Sequence, residues 1–163
     1  MARFVLSVIA ISLLALGAIY VVGSKSPKDD KANSPNAAVG SYELSSEKID
    51  LGEMTVDDKK TATFTFKNTS TEPMNLSKFE TSCNCTMTEV KMNGDTSPMF
   101  NMPAHMSATD RAWNRDLAVG DTATINVTYE PALMPVYGPI ERYSTFKINS
   151  SKEIRLTVSA IVK

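Results

Sequence analysis

Apolar and polar side chains alternate one by one in several short stretches of the chain after residue 48. The clearest stretches are residues 61–67 (TATFTFK), 122–129 (TATINVTY) and 154–162 (IRLTVSAIV). Because successive side chains of a β-strand point to opposite faces, each stretch predicts a strand with one buried face. Turn-forming residues separate the stretches, as at 68–71 (NTST) and at Gly120-Asp121. The pattern predicts an all-β fold, an immunoglobulin-like β-sandwich of about seven strands.

One predicted strand needs an irregularity to keep its apolar residues on one face. Met74 and Leu76 are in phase with each other, but Phe79 is not. A β-bulge inserts one extra residue and so restores the alternation. We therefore predict a bulge near Ser77-Lys78.

The first part of the chain is apolar and uncharged from Phe4 to Val22 (FVLSVIAISLLALGAIYVV). A run of this length is sufficient to span a bilayer as a helix, and it exceeds the apolar region of most cleaved signal peptides. It predicts a signal anchor, a transmembrane helix over residues 1–23, followed by a flexible tether over 24–41 and the sandwich over 42–163. The expected location is the bacterial cytoplasmic membrane, single-pass, with the C-terminal domain outside the cytoplasm, in the periplasm or at the cell surface.

The charge balance limits the classes of partner. The chain has 17 Lys and Arg against 18 Asp and Glu, so the overall charge suggests neither nucleic acid nor an anionic lipid surface as a partner. Beyond the membrane reached by the N-terminal helix, the expected partner is an envelope protein or complex of unknown identity.

Both cysteines lie in one short motif, residues 82–87 (SCNCTM). If this motif is extended, Cys83, Cys85 and Met87 lie on one face. In an extended strand, Cα atoms two residues apart are separated by about 6.6 to 6.8 Å, which is the outer limit for a disulfide. The extended interpretation therefore favours two thiols, and thiols are soft ligands that select Cu(I).

A segment without strand alternation, residues 92–117, separates two predicted strands and carries the M-x2-M-x2-H-M motif that starts at Met99. Loops of this length are usually functional or disordered. If the segment folds back over the cysteine motif, it can complete a soft-metal site. The candidate Cu(I) ligands are Cys83, Cys85, His105, Met102 and Met106.

Other interpretations of the same residues remain open. Free cysteine is often buried as a small apolar residue, methionine fills irregular gaps, and Trp113 can serve as a packing anchor. A strained Cys83–Cys85 disulfide would instead indicate thiol-disulfide redox activity. His105 is the only histidine, and no third group is suggested to orient it, so a catalytic role is not expected. The three hypotheses are an interaction module, which we favour, a Cu(I)-binding protein and a redox protein.

The sequence also resembles a bacterial envelope family of immunoglobulin-like domains, the domain of unknown function DUF1573. Four pieces in this order carry the resemblance: residues 49–53 (IDLGE), 64–69 (FTFKNT) followed by 72–74 (EPM), 82–86 (SCNCT), and 119–121 (VGD) leading into 125–129 (INVTY). Asn84 stands where the family usually has Gly, and residues 92–117 look like an insertion. The resemblance implies a fold and an envelope location, and the family has no settled activity.

Overall fold

The computed structural model describes residues 40–163, which form two five-stranded sheets around a shared core. The first sheet has the order β1-β3-β8-β5-β6 and the second the order β2-β10-β9-β4-β7. The strands are β1 (Tyr42–Leu44), β2 (Lys48–Met54), β3 (Lys60–Asn68), β4 (Met74–Thr81), β5 (Thr86–Met92), β6 (Asp95–Thr96), β7 (Asn114–Leu117), β8 (Thr122–Tyr129), β9 (Gly138–Ile148) and β10 (Lys152–Val162). The predicted two-sheet all-β sandwich is confirmed. It has ten strands rather than about seven, because β1, β6 and β7 are short edge strands with little alternation.

The predicted signal anchor and nearly all of the predicted tether lie outside the described residues. Between residues 40 and 163, no helix has both the length and the apolar character needed to cross a membrane.

The alternation in the sequence produces the core. In β3 the side chains of Ala62, Phe64 and Phe66 are buried while the threonines between them are exposed. Phe66 meets Phe146 of β9 edge-to-face, with ring centroids 5.5 Å apart. Because β3 and β9 belong to different sheets, this aromatic contact joins the two layers.

The predicted bulge in β4 is confirmed. The pairing of β4 with β9 shifts between Ser77 and Glu80, and Lys78 has a positive φ of 54°. The bulge turns Phe79 to the interior, where it is 2% exposed. It stacks there on Phe100 and Phe146, each with a ring centroid 5.0 Å away.

The strand pairings define two ends of the sandwich. At one end, which we call the cysteine end, Tyr129 pairs with Thr86 and Lys60, and Gly138 pairs with Val162. At the opposite end Tyr42 pairs with Asn68. Gly40 lies against Ser70 at that opposite end, since a Cβ added to Gly40 would come within 2.4 Å of the Ser70 Cβ.

Candidate functional site

The two cysteines lie in a turn and form a disulfide. Residues 82–85 are bends and turns between β4 and β5, and the Cα atoms of Cys83 and Cys85 are 5.2 Å apart. The interpretation of the motif as extended, and with it the geometric argument against a disulfide, is therefore wrong. The turn shortens the Cα separation below that of an extended strand and brings it within the usual range for a disulfide.

The predicted row of three sulfur atoms does not form. Strand β5 begins only at Thr86, and its buried face carries Thr86, Thr88 and Val90. Met87 therefore points to the other face of the first sheet.

The disulfide is enclosed by protein. Cys83 is 7% exposed and Cys85 is fully buried. The hydroxyl of Thr86 lies 3.4 Å from Sγ of Cys83 and 4.0 Å from Sγ of Cys85. Of the two cysteines, only Cys83 has any contact with solvent.

The carbonyl groups of the cysteine turn connect separate segments of the chain. The Cys83 carbonyl accepts hydrogen bonds from the Thr86 amide at 3.1 Å and from the Thr81 hydroxyl at 3.0 Å. The Asn84 carbonyl accepts one from Nδ2 of Asn101 at 3.3 Å. The Cys85 carbonyl accepts one from the amide of Glu130 at 2.9 Å.

Residues 92–117 fold onto the sandwich. Phe100 pairs with Thr88 of β5, and the side chains of Phe100 and Met106 are buried. Trp113 is half-buried and meets Phe79 and Phe100 edge-to-face, with centroids 5.6 and 5.4 Å away. The interpretation of Trp113 as a packing anchor is confirmed, whereas Met99 in the same segment is 51% exposed.

The predicted Cu(I) ligands are placed unevenly. Asn101 brings this segment to the cysteine turn, and Met102 follows it with a half-buried side chain. Met106 is 9% exposed in the core cluster, while His105 is exposed at the end of a 3₁₀ turn (Pro103–His105). Within residues 40–163, no three His, Cys, Asp or Glu side chains are grouped as a metal site would require. Copper binding stays a prediction, and it requires the reduced cysteines, since the disulfide offers no thiolate.

A second feature of the cysteine end was not predicted from the sequence. Residues 131–139 (PALMPVYGP), which connect β8 to β9 and include the first two residues of β9, expose a run of large apolar side chains, and we call this segment the apolar loop. Leu133 is 45% exposed, Met134 47%, Val136 41% and Tyr137 69%. The sequence of this segment contains five apolar residues and three prolines and no charge. Because these residues do not alternate with period 2, the sequence pattern did not single them out.

The apolar loop is anchored at both of its ends. It begins with a 3₁₀ turn (Pro131–Leu133) directly after Glu130, whose amide is bonded to Cys85. Near its other end Gly138 pairs with Val162 of β10, and its φ of +91° is strained for any residue with a side chain. Ile161 of β10 pairs with Pro139 and adds another exposed apolar side chain beside the loop.

The core beneath the cysteine end contains several buried polar groups. The hydroxyl of Thr88 donates to the Ser144 hydroxyl across the two sheets at 2.8 Å. Between residues 40 and 163, the Tyr129 hydroxyl and Nε of Arg142 are among three buried polar atoms without a hydrogen-bond partner. Burial raises the pKa of Tyr129 above its ordinary value, and the positive charge of Arg142 opposes that shift only in part.

Residues 42–96 match the family model described as a protein of unknown function, DUF1573. The predicted DUF1573 relationship is confirmed over this segment. It runs from β1 to β6 and includes the cysteine turn. Strands β7 to β10 and the apolar loop lie beyond the matched residues. No curated protein matches the sequence.

Solved structures support the fold at low sequence identity. A protein of unknown function from Porphyromonas gingivalis W83 aligns with a TM-score of 0.52 at 16% identity, over 75% of this chain and 46% of that one. The ASH/PapD-like domain 7 of human CEP192 aligns with a TM-score of 0.50 at 11% identity, over 85% of this chain and 98% of that domain. A family 123 glycoside hydrolase from Clostridium perfringens reaches 0.50 at 8% identity, over 72% and 23%.

These likenesses show an immunoglobulin-like β-sandwich fold and nothing more. This chain spans less than half of the first structure and about a quarter of the third. The same sandwich architecture hosts unrelated functions, and it is compatible with an interaction module.

Proposed function

We propose that this protein is a membrane-anchored, envelope-facing binding module, not an enzyme, and that it binds a partner protein through the apolar loop. One observation carries the proposal. Four of the seven large apolar side chains that are exposed between residues 40 and 163 lie within residues 133–137. Exposed apolar residues that are scattered singly are ordinary, but a contiguous group indicates an interaction site.

The composition of the apolar loop favours a protein partner over a lipid surface. Residues 131–139 carry no charge, and the flanking Glu130 and Glu141 are ion-paired with Lys59 and Lys48, so the loop lacks the cluster of Lys and Arg side chains that attracts an anionic membrane surface. Tyrosine and methionine are enriched at protein interfaces. Three prolines restrict the loop, which lowers the entropy lost when a partner binds.

Two observations support the extracytoplasmic location. The sequence predicts an N-terminal signal anchor, and the cysteine turn holds a disulfide. Disulfides persist outside the cytoplasm and are rare within it. The proposed location is therefore the outer side of the bacterial cytoplasmic membrane.

The test is photocrosslinking of the full chain in intact cells. A benzoylphenylalanine placed at Tyr137, which is 69% exposed, is expected to give one discrete adduct that mass spectrometry assigns to a single envelope protein. A second version carries Met134→Ser and Val136→Ser as well. Loss of two central apolar contacts costs about 2 kcal/mol, or about thirtyfold in Kd, so the adduct should nearly disappear.

The chain offers a matched control for these substitutions. Met99 and Val119 are each 51% exposed and lie outside the apolar loop, so Met99→Ser with Val119→Ser makes the same chemical change elsewhere. The control should keep the adduct. Equal loss in both double variants, or adducts formed only with lipid or a second copy of the chain, would refute the proposal.

A further inference from the structure

The apolar loop and the disulfide are connected by one hydrogen bond. The Cys85 carbonyl accepts the amide of Glu130 at 2.9 Å, and the apolar loop begins at the next residue, Pro131. On its other side, the cysteine turn accepts Asn101 through the Asn84 carbonyl. The bond between Cys85 and Glu130 continues the β5–β8 register one pair beyond Thr86 and Tyr129, and the disulfide restrains the residue on its cysteine side.

We propose that the Cys83–Cys85 disulfide is a redox gate for the apolar loop. In the oxidised chain the turn holds Glu130 and so presents the loop for binding. In the reduced chain residues 82–85 are no longer held in the turn, so the hydrogen bond between Glu130 and Cys85 opens more often and the start of the loop is no longer fixed. This inference rests on the proposed function, because it assigns a regulation to the same surface.

The reductant is a protein dithiol. One of its thiolates attacks Sγ of Cys83, the residue with some solvent contact, to form a mixed disulfide, and Cys85 leaves as a thiolate that takes up a proton. The second thiol of the donor then attacks the donor sulfur of the mixed disulfide and releases Cys83 as a thiol. The donor is oxidised to a disulfide, and this protein gains two electrons and two protons. The Thr86 hydroxyl, 3.4 and 4.0 Å from the two sulfurs, can donate a hydrogen bond to the leaving thiolate.

Reduction is expected to act locally. The disulfide closes a loop of residues 83 to 85 only, and the chain entropy that a crosslink removes increases with loop length. The sheets are joined by contacts that do not involve the turn, such as that of Phe66 with Phe146. The sandwich therefore stays folded while the cysteine end loosens.

The experiment is hydrogen exchange measured by mass spectrometry on the full chain in detergent micelles, oxidised and then reduced with dithiothreitol. Peptides covering residues 130–139 are expected to exchange about tenfold faster after reduction. Peptides covering 118–122 are the internal control, because the Gly120 amide donates to the Asn68 carbonyl at 2.8 Å at the opposite end. They should not change.

Two outcomes of the exchange experiment would overturn the gate. One is unchanged exchange at 130–139 when both thiols are shown to be free. The other is faster exchange throughout the sandwich, which would mean that reduction unfolds the domain. The variant Cys83→Ser with Cys85→Ser should behave as the reduced chain with or without dithiothreitol. If that variant does not fold, hydrogen exchange of the reduced parent chain alone tests the gate.

Crosslinking at position 137 separates the gate from the proposed function. At least a fivefold loss of the adduct on reduction supports the gate, whereas an equal adduct in both redox states overturns the gate and leaves the binding surface in place. If no protein adduct forms in either state, the proposed function fails, and the gate fails with it even when exchange at 130–139 responds to reduction.

Discussion

At the scale of single residues, the cysteine turn depends on its polar neighbours. The Thr81 hydroxyl bonds to the Cys83 carbonyl, and such local side-chain bonds compete with regular strand pairing. Ser82 and Asn84 are also residue types that favour turns. These residues were visible in the sequence, but the apolar spacing of Cys83, Cys85 and Met87 indicated a strand and outweighed them.

Copper binding can be tested at the same two cysteines. We expect the oxidised chain to form no copper adduct that survives a competing Cu(I) chelator, because a disulfide lacks thiolates. The Cu(I) hypothesis predicts a one-to-one adduct only after reduction. Native mass spectrometry of the full chain in detergent measures both forms.

The control for copper binding is Cys83→Ser with Cys85→Ser, which should bind no copper in either state. His105→Ala tests the exposed histidine. If reduction yields no adduct in the parent chain, the copper hypothesis is wrong.

The buried hydroxyl of Tyr129 predicts a pH-dependent stability. Burial raises the pKa of this phenol in the folded chain. The contribution of this pKa difference to the free energy of unfolding is therefore complete below the unfolded pKa of about 10. It is lost as the pH rises through the folded value, because the unfolded chain releases the proton first. Tyr129→Phe removes an unpartnered buried hydroxyl and is expected to add about 1 kcal/mol of stability at pH 7.

The advantage of Tyr129→Phe should increase above pH 10, and urea unfolding at pH 7 and pH 10.5 measures it. Tyr137→Phe is the matched control, since Tyr137 is 69% exposed, and it should change stability little at either pH. A Tyr129→Phe variant less stable than the parent at pH 7 would show that the hydroxyl has a stabilising partner.

At the scale of elements, the bulge in β4 shows how one backbone irregularity sets the core. Lys78 has a φ of 54°, a conformation that costs a residue with a side chain about 1 to 2 kcal/mol. Lys78→Gly should therefore raise the free energy of unfolding by up to about 1 kcal/mol, and Lys78→Val should lower it by about 1 kcal/mol. Thermal unfolding of the two variants gives the sign, and a loss of stability in the glycine variant would contradict the assignment of strain.

Two aromatic side chains, Phe100 and Trp113, anchor the segment between β6 and β8. Trp113 packs against Phe79 and Phe100, and its loss should cost about 2 kcal/mol, since the side chain is only half-buried. We expect Trp113→Ala to increase trypsin cleavage after Arg111 and Arg115 by about thirtyfold, while Trp113→Phe stays close to the parent. Equal cleavage of the alanine variant and the parent would show that Phe100, Met106 and β7 hold the segment without Trp113.

Periodicity predicted those elements whose side chains alternate, and it failed where the side chains do not alternate. Strands β3, β8 and β10 and the β4 bulge followed from the sequence because each buries one face. The apolar loop did not, since exposed apolar residues between prolines resemble an ordinary buried stretch. The disulfide was missed because a strand rather than a turn was assumed for Cys83. The hydrogen bond from Asn101 to the Asn84 carbonyl joins residues that are distant in sequence, so no local sequence pattern predicts this contact.

At the scale of the whole molecule, the two ends of the sandwich differ in their chemistry. The end near Gly40 is closed by Asn68, whose side-chain amide donates to the Leu117 carbonyl at 3.0 Å and the Glu72 carbonyl at 2.9 Å. The cysteine end carries the disulfide, the polar core and the apolar loop. The features proposed to function are thus separated from the end where the described domain begins.

Because the disulfide lies at one end of the sandwich, we expect only a small part of the domain's stability to depend on it. In the chain-entropy relation, a crosslink across residues 83 to 85 contributes about 1.6 kcal/mol, which is small beside the roughly 5 to 15 kcal/mol of a typical domain. Urea unfolding of the full chain in detergent, followed by the fluorescence of Trp113, the single tryptophan, should therefore stay cooperative in dithiothreitol with a loss close to that value. The variant Cys83→Ser with Cys85→Ser should show no response to dithiothreitol. A loss above about 4 kcal/mol in the parent would mean that the turn supports the sandwich as a whole, and the cysteines would then be structural and not a local gate.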